Sequence, residues 1–289
     1  MAHTVVVTGA GGLLGSAVVA AFQSSARVVG LARRDLDLTD DAAVGARLRR
    51  ERPDVIINCA ADNDVDGAET EPLRALALNA FAVRELARAA DDVGATLVHY
   101  SSDFVFDGST TRPYLETDEP NPQGVYAASK LLGEWFALEA KRGYVLRVES
   151  LFGASAGGPV TRSSLGRIVE GIEAGRDVPV FTDRTVSPSY VVDLAAATRA
   201  LLASDADPGL YHCVNSGTAT WFEIALEIGR LVGREPRLTP ITLQGLKLRA
   251  PRPVYCALDN GKLRAAGVPM PSWQDALARY LGGRGRISS

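Results

Sequence analysis

The sequence predicts an α/β fold built on a doubly wound parallel sheet, and three features support it. Short apolar runs alternate with helical patterns through the first half of the chain, as in parallel strands joined by right-handed crossovers. The first run, residues 4–8, leads directly into a glycine-rich turn. The rhythm then changes at a glycine-rich break over residues 153–159. We therefore predict a Rossmann-type domain over residues 1–152 and a smaller C-terminal α/β domain, mainly for substrate binding, over 153–289. Within the second half, roughly residues 186–215 are expected to return to the sheet of the first domain.

Composition limits the class of protein and its partners. The chain has 289 residues, of which 46% are hydrophobic and 22% charged, as in a globular protein with a full core. A net charge of −3 gives no reason to expect nucleic acid or an acidic membrane surface as a partner. Three widely spaced cysteines favour a reducing compartment over a disulfide framework or a zinc site. No apolar run reaches membrane-spanning length and the N-terminus lacks a basic leader, so we expect a cytoplasmic protein without a membrane partner.

Glycines after the first strand predict a dinucleotide site. Gly9, Gly12 and Gly15 lie between that strand and a helical segment over residues 16–23. Such a turn lets a pyrophosphate approach the amides at the helix N-terminus, where the helix dipole favours negative charge. A glycine turn selected only for close packing is the alternative interpretation, but the flanking strand and helix favour nucleotide binding.

The end of the second strand indicates which cofactor to expect. The strand covers residues 27–31, and the place where NAD-binding proteins usually carry an acid for the ribose holds Arg33 and Arg34. A guanidinium suits a 2′-phosphate through charge-assisted paired hydrogen bonds. NADPH is therefore the favoured cofactor and NADH the alternative. Surface charge without a ligand is the other interpretation of these arginines.

The third strand, residues 54–58, ends in Cys59, Ala60 and Ala61, small residues that leave room for a flat cofactor. A long helix over 71–93 follows and carries Asn79. A buried asparagine needs hydrogen-bond partners. Its amide could bond the backbone, or it could hold a water or a helix carbonyl near the catalytic lysine.

Tyr126 and Lys130 form the pair on which the catalytic hypothesis rests. Four residues apart on a predicted helix, they lie on the same face. A nearby ammonium favours the phenolate, so we expect Lys130 to lower the pKa of Tyr126 from its free value of ~10. Ser102 follows the fourth strand, residues 95–100, and a long loop over 104–124 separates it from the helix. Each residue alone also fits a solvated helix face or a backbone-bonded strand end, but together they indicate carbonyl/alcohol interconversion.

The second half of the chain contains shorter elements after a fifth strand over residues 144–148. The predicted elements are a helix ending near 175, a strand over 178–181, a helix over 191–203, a strand over 209–214, and helices over 220–232 and 272–281. The glycine- and arginine-rich end, 282–289, is expected to fray.

Motifs along nearly the whole chain carry a resemblance to a known family. They are TGAGGLLG, DLDLTD, RPDVIINCAA, HYSSDFVFDG, EPNPQGVYAASKLLGE, SPSYVVDLA, GLYHCVNSGTATWFEIA and RPVYCALDNGKL. With them the chain resembles the extended short-chain dehydrogenases/reductases, and more closely the dTDP-4-dehydrorhamnose reductase family. The resemblance implies reduction of a nucleoside-diphosphate 4-keto-6-deoxyhexose by NAD(P)H, with hydride transfer to the C4 carbonyl and a C-terminal substrate-binding domain.

The resemblance also implies site residues. By position, Ser102, Tyr126 and Lys130 match the family's catalytic residues, with Tyr126 as proton donor. The implied cofactor-binding residues are Gly9, Gly12, Leu13, Leu14, Gly15, Arg33, Asp37, Leu38, Cys59, Ala60, Ala61, Asn79, Tyr126 and Lys130. The implied substrate-binding residues are Asp103, Phe104, Ser150, Arg184, Pro188 and Arg252. No metal is expected.

Three departures from the family pattern surround the expected hexose. Phe104 stands where the family commonly has tyrosine, and Arg184 where relatives often have glutamine. Residues 147–150 replace a sequence that in many relatives carries a tryptophan beside the sugar. The departures leave the chemistry intact and the identity of the sugar open.

Two other functions fit the same scaffold. A nucleotide-sugar epimerase would use the cofactor without net consumption. A non-catalytic regulatory subunit, like the beta subunit of methionine adenosyltransferase, would resemble the same branch. Related 4,6-dehydratases need an Asp-Glu pair after the catalytic hydroxyl, and Asp103 is followed by Phe104, so dehydration is not expected. The sequence does not fix the oligomeric state, and a homodimer is one candidate for it.

Overall fold

The computed structural model describes residues 3–154 and 163–284 of the chain. In this part of the chain the strands are β1 Thr4–Thr8, β2 Arg27–Leu31, β3 Val55–Asn58, β4 Thr96–Ser102, β5 Gly143–Val148, β6 Leu151–Phe152, β7 Val178–Phe181, β8 Thr185–Val186, β9 Ser189–Tyr190, β10 Gly209–His212, β11 Ala219–Thr220 and β12 Leu238–Ile241. The α-helices are α1 Leu13–Phe22, α2 Asp41–Glu51, α3 Val65–Ala68, α4 Pro72–Leu76, α5 Ala82–Val93, α6 Val125–Leu138, α7 Ser164–Glu173, α8 Val191–Ala203, α9 Trp221–Val232, α10 Gly261–Ala265 and α11 Trp273–Arg284. A π-helical turn covers Ala77–Phe81, and 3₁₀ turns cover Asp103–Val105 and Leu243–Gly245.

Six parallel strands form the central sheet, in the order β10-β5-β4-β3-β1-β2. The chain runs outward from β1 in both directions, so the order reverses between β1 and β3. Ligands of such sheets bind beyond the carboxyl ends of the strands, next to this reversal. The predicted doubly wound parallel sheet is confirmed, and β10 pairs with β5 at its edge.

Helices cover both faces of the sheet, which is why its central strands are apolar throughout. The side chains of β1 alternate between two cores: Val5 and Val7 pack with α1 and α8, and Val6 packs with α2 and α5. All three valines are fully buried. This burial fixes the height and direction of β1, and therefore the place where the glycine turn begins.

The helix predicted over residues 71–93 is interrupted. The π turn Ala77–Phe81 separates α4 from α5. At this turn α6 comes so close that a Cβ on Gly133 would collide with the carbonyl oxygen of Asn79. Glycine at this position therefore allows the catalytic helix to pack against the turn.

A second core lies outside the sheet. It is formed by α7, α9 and α11 with strands β7 and β8, and it includes Trp221, Trp273 and Cys256. Thr220 begins α9 with a capping box, since its hydroxyl accepts from the Glu223 amide while the Glu223 carboxylate accepts from the Thr220 amide. Across the described residues, every helix is too short or too polar to cross a lipid bilayer.

The C-terminal tail and the start of the first helix differ from the sequence-based prediction. Residues 282–284 belong to the end of α11, so the predicted frayed tail does not begin at 282, and 285–289 lie outside the described residues. Residues 155–159 of the predicted glycine-rich break also lie outside them. The first helix starts at Leu13 and not at Ser16, because Gly12 is its N-cap.

Candidate active site

The three predicted catalytic side chains converge at the carboxyl end of the sheet. Ser102 is the last residue of β4, and Tyr126 and Lys130 lie in the first two turns of α6. All three are buried. The N-terminus of α6 is fixed from outside the helix, because the Glu69 carboxylate accepts a hydrogen bond from the Val125 amide at 2.7 Å.

Tyr126 holds its proton in this structure. Burial raises the pKa of its phenol and outweighs the lowering effect of the Ser102 hydroxyl, and the charges of Asp103 and Asp62 raise the pKa further by smaller amounts. The phenol oxygen lies 3.5 Å from Oδ1 of Asn63, and the Phe104 ring packs edge-on against the Tyr126 ring at 5.6 Å. A protonated phenol in this position can act as an acid.

Lys130 has a different partner from the one predicted. Its Nζ donates a 2.7 Å hydrogen bond to the carbonyl oxygen of Tyr100, on β4. Burial lowers the lysine's pKa to about 8, which the charge of Glu134 and the Cys59 thiol partly oppose. Lys130 is not among the groups that shift the pKa of Tyr126, so the expected lowering is absent from this structure. With its lowered pKa the ammonium can lose a proton close to neutral pH.

The glycine turn has the shape of a phosphate cradle. Gly9 has φ +66°, and a Cβ there would lie 2.6 Å from the Ala60 nitrogen. A Cβ on Gly15 would collide with the carbonyl oxygen of Gly9. Gly12 caps α1 without any side-chain hydrogen bond, so no side chain satisfies the first amides of the helix through the cap. These features fit a pyrophosphate at the start of α1.

Predicted cofactor residues beyond the turn divide into exposed and buried groups. Arg33 is exposed and close enough to Asp37 to help lower the pKa of that carboxyl, although hydrogen bonds from Thr39 contribute more. The side chains of Leu14 and Leu38 are buried in the two cores that flank the sheet. Their assignment as cofactor-binding residues stays a prediction, and it would involve their main-chain atoms. Leu13 is half-buried at the helix start.

Asn79 is structural in this arrangement. Its Oδ1 accepts from the Asp62 amide at 2.8 Å, and its Nδ2 donates to the Asp62 carbonyl and to Ser129 Oγ, each at 3.0 Å. The side chain is fully buried, and its assignment as a cofactor-binding residue stays a prediction. It ties the loop after β3 to the catalytic helix. That loop begins with Cys59, Ala60 and Ala61, which are half-buried beyond the end of the strand.

The expected sugar side contains a buried polar cluster. One oxygen of Asp103, one oxygen of Glu149 and Sγ of Cys256 lie within 4.8 Å of one another. Arg184 reaches this cluster, with Nη2 3.2 Å from Cys256 Sγ and Nε donating to the Pro253 carbonyl at 3.2 Å. Burial raises the pKa of Asp103 to about 6, against the opposing charge of Arg184, and raises the pKa of Glu149 well above its usual range.

The remaining predicted substrate residues close the site. Arg252 pairs with Asp66 at 2.9 Å and lies 5.9 Å above the Phe104 ring. Ser150 has φ +44°, a left-handed conformation that is uncommon for a residue other than glycine. Pro188 is buried in the turn between β8 and β9. Arg252 is therefore engaged by protein groups, whereas Ser150 is half-buried and accessible.

Two cavities of the structure differ in size and in their position relative to the predicted site. A crevice of only about 10 Å³ lies between Tyr126, Phe104 and Pro253. A larger cavity, of about 550 Å³, lies at the opposite edge of the sheet, where Asp54, Thr96 and neighbours start the strands. None of the predicted site residues lines the larger cavity. The predicted site residues Phe104 and Tyr126 line the crevice, which lies at the carboxyl ends of the strands, where ligands of doubly wound sheets bind.

Comparison with known proteins agrees with this geometry. Residues 3–284 match the family model described as the RmlD substrate binding domain. The chain belongs to this family. The dTDP-4-dehydrorhamnose reductase of Streptomyces griseus is 41% identical over 281 residues, which are 94% of this chain and 90% of that protein. The enzyme of the same name from Mycobacterium tuberculosis H37Rv is 39% identical, over 96% of this chain and 91% of its own length.

Among solved structures of the family, the dTDP-4-dehydrorhamnose reductase of Bacillus anthracis in complex with NADP aligns with a TM-score of 0.91. It is 30% identical, and the alignment covers 100% of both chains. The resemblance read from the motifs is therefore confirmed, together with the fold that it implies.

The structure places two residues in the buried polar cluster that the sequence analysis did not name as site residues. Glu149 and Cys256 were not among the predicted site residues, although both lie in segments that the motifs or their departures mark. The signal for Glu149 is its position, directly after β5 at the carboxyl end of the sheet. The signal for Cys256 is weaker, since nothing in its local sequence shows that it faces Asp103.

Proposed function

We propose that the chain is an NADPH-dependent reductase of a nucleoside-diphosphate 4-keto-6-deoxyhexose, similar to the dTDP-4-dehydrorhamnose reductases that it matches. The convergence of Ser102, protonated Tyr126 and Lys130 at the carboxyl end of the sheet carries the proposal. The relatives named as reductases, and the family structure in complex with NADP, support the reaction and the cofactor.

The residues of the chain fit NADPH. The uncapped start of α1 and the glycines at 9, 12 and 15 would hold the pyrophosphate. Arg33 would hold the 2′-phosphate, and the small residues after β3 would lie along the flat rings. The reduced nicotinamide supplies the hydride that reduces the sugar carbonyl.

The protein's part in the reaction is proton donation and orientation. The Ser102 hydroxyl would hydrogen-bond the C4 carbonyl oxygen and hold it next to Tyr126. Tyr126 would then donate its proton to the developing alkoxide, breaking the phenol O–H bond and forming the product hydroxyl. Lys130, held by the Tyr100 carbonyl, would bring positive charge to the nicotinamide side of the site.

The buried polar cluster described above forms the sugar side of the proposed site. Asp103 adjoins Ser102 in the chain, and Glu149 and Arg184 lie beside it. Phe104 and Arg252 form the outer wall near Tyr126. A wall with buried charges at these positions favours a hydroxylated sugar ring over an apolar substrate, because polar partners satisfy buried polar groups.

A substrate panel tests the proposal. Nucleoside-diphosphate 4-keto-6-deoxyhexoses, each with NADPH and NADH, should show loss of reduced-nicotinamide absorbance with one equivalent of alcohol formed, identified by NMR. An epimerase would change the sugar without net loss of NADPH. A regulatory subunit would bind the cofactor and turn over no member of the panel. Either outcome would contradict the proposal.

The variant Tyr126→Phe locates the acid. It should lower kcat by ~10²–10⁴-fold, the usual contribution of a positioned acid, and leave the Kd of NADPH unchanged. Tyr144→Phe is the matched control, because the Tyr144 hydroxyl bonds the Ala206 carbonyl, away from the catalytic residues. If Tyr126→Phe reduced the sugar at the rate of the parent enzyme, Tyr126 would not be the proton donor.

The cytoplasmic location and the homodimer remain predictions. Cys59, Cys213 and Cys256 are all free thiols, which supports the proposed cytoplasmic location, where thiols remain reduced. Size-exclusion chromatography with light scattering would test the predicted homodimer.

A further inference from the structure

The Tyr126 hydroxyl has a polar contact on the loop after β3. It donates to Oδ1 of Asn63, with 3.5 Å between the two oxygens. Asn63 lies between β3 and α3, and the sequence analysis did not name it as a site residue. The contact is long, as catalytic hydrogen bonds often are before a ligand binds. The proposed acid therefore touches a side chain that has no role in the reaction so far.

The loop is held in place on both sides of Asn63. Before this residue, the Asn79 side chain bonds the amide and the carbonyl of Asp62, at 2.8 and 3.0 Å. After it, the Asp64 carboxylate accepts from the Gly67 amide at 2.9 Å and caps α3. The main chain of Asn63 is therefore fixed, although its side chain is exposed.

The asparagine that fixes this loop also fixes Tyr126. Asn79 Nδ2 donates to Ser129 Oγ at 3.0 Å, and the Ser129 hydroxyl donates to the Tyr126 carbonyl at 2.7 Å. These three residues are buried. One side chain thus anchors both partners of the contact, the loop that carries Asn63 and the first turn of α6. The fold therefore holds the phenol and the Asn63 amide next to each other.

Proton donation leaves a negative charge on the Tyr126 oxygen, and its surroundings oppose that charge. The carboxylates of Asp103 and Asp62 both disfavour a phenolate at this position. Lys130 is bonded to the Tyr100 carbonyl, at 2.7 Å. A neutral hydrogen-bond donor held next to the phenol would stabilise the charge as it develops.

An asparagine amide can serve both states of a phenol, because its Oδ1 accepts hydrogen bonds and its Nδ2 donates them. In this structure Oδ1 of Asn63 accepts from the protonated hydroxyl. Its Nδ2 has no hydrogen-bond partner within residues 3–154 and 163–284. A half-turn about χ2 exchanges the two atoms, and the two-fold torsion of an exposed amide allows it.

We propose that Asn63 is a further catalytic residue, which holds the Tyr126 hydroxyl before proton transfer and stabilises the phenolate after it. This role rests on the proposed function. In the transfer the phenol O–H bond breaks and an O–H bond forms on the C4 oxygen of the sugar. Nδ2 of Asn63 then donates to the phenolate until a proton from water restores the phenol. Asn63 gains and loses no proton, and the electrons of the reduction come only from the hydride.

Two variants at position 63 separate this role from a structural one. Asn63→Asp keeps the shape of the side chain, but a carboxylate cannot donate and adds a negative charge beside the phenolate. We expect the kcat of sugar reduction to fall about tenfold in Asn63→Ala and further in Asn63→Asp, with the Kd of NADPH unchanged. A structural role would instead leave Asn63→Asp close to the parent and make Asn63→Ala the slower variant.

Asn121→Ala is the matched control for these variants. Asn121 is also an exposed loop asparagine, and its amide donates to the Asp107 carboxylate at 2.9 Å. This variant should keep the kcat of the parent.

Carbon-13 NMR tests the contact without any substrate. In protein labelled at Cζ of tyrosine, the resonance that is absent from Tyr126→Phe belongs to Tyr126, and its chemical shift reports the hydrogen bond of the phenol. We expect this resonance to move in Asn63→Ala and to stay in place in Asn121→Ala.

Two results would overturn the inference and keep the proposed function. They are an unmoved Tyr126 resonance in Asn63→Ala, and an Asn63→Asp enzyme that reduces the sugar as fast as the parent. If the parent itself reduces no sugar, the proposed function fails, and the resonance still decides whether Asn63 holds the phenol.

Discussion

At the scale of single residues, burial decides the protonation of the site more than neighbouring charge does. It is the largest influence on the pKa of Tyr126, Lys130, Asp103 and Glu149, and in each it favours the neutral form. A tyrosine and a lysine at helical spacing suggested mutual activation through charge. The folded chain instead directs the lysine to a carbonyl of β4 and leaves the tyrosine protonated. That state suits a reductase, whose acid must begin with its proton.

Arg33 is expected to set the choice of cofactor. It is exposed beyond β2 without an ion pair among the described residues, and a charge-assisted bond to a 2′-phosphate is worth about 1.5–3 kcal/mol. Arg33→Ala should raise the Kd of NADPH by about 10- to 100-fold and leave that of NADH unchanged, as measured by fluorescence titration. Arg34→Ala is the control, because Arg34 is 88% exposed and only loosely paired with Asp35. Equal losses for both cofactors would assign Arg33 to another role.

At the scale of elements, β5 and α6 are joined by a buried ion pair. Arg147 Nε and Nη2 donate to the two carboxylate oxygens of Glu134 at 2.8 and 2.7 Å, and both side chains are 2% exposed. The Arg147 guanidinium also lies 4.8 Å from the centre of the Phe106 ring. The ion pair holds α6, which carries Tyr126, against β5, the strand that Glu149 directly follows.

Breaking this pair should destabilise the fold strongly. Glu134→Gln leaves a buried guanidinium without its counter-charge and should lower the free energy of unfolding by about 3–5 kcal/mol in urea titrations. Replacing both partners, Glu134→Leu with Arg147→Met, should restore most of the loss. The exposed pair of Glu227 and Arg230 is the control, and Glu227→Gln should cost less than about 1 kcal/mol. A small effect of Glu134→Gln would mean that water reaches the guanidinium.

At the scale of the whole molecule, one carboxylate on α3 holds the C-terminal segment against the crevice beside Tyr126. Asp66 on α3 accepts from the Ala250 amide and from Arg252, each at 2.9 Å. The segment that follows, with Pro253, walls the crevice beside Tyr126. We therefore expect this contact between distant parts of the chain to influence how a substrate reaches the crevice.

Asp66→Ala should loosen this connection. We expect a several-fold change in KM for the sugar, an unchanged Kd of NADPH, and faster hydrogen exchange of amides 250–256, since loosely held segments open at low free energy. Asp177→Ala is the control, because Asp177 pairs with Arg237 on an exposed surface. Unchanged exchange in Asp66→Ala would show that other contacts hold the segment.

The chain's local patterns were sufficient for the sheet, the glycine turn and the face of α6 that carries Tyr126 and Lys130. Those features follow from continuous apolar runs, from a period of 3.6 residues and from the backbone that glycine permits, all of which can be read within a few residues. The π turn at Asn79 and the left-handed Ser150 could not be read in this way, because packing against other elements imposes them.

The sequence by itself therefore determined the fold class and the family, and it predicted the side chains that we propose as catalytic. Only the tertiary structure decided that Lys130 bonds Tyr100, that Asn79 holds the loop after β3, and that Glu149 meets Asp103. The physical reason is that a pKa and a hydrogen bond depend on burial and on neighbours from other strands. Their separation along the chain carries no information about their separation in space.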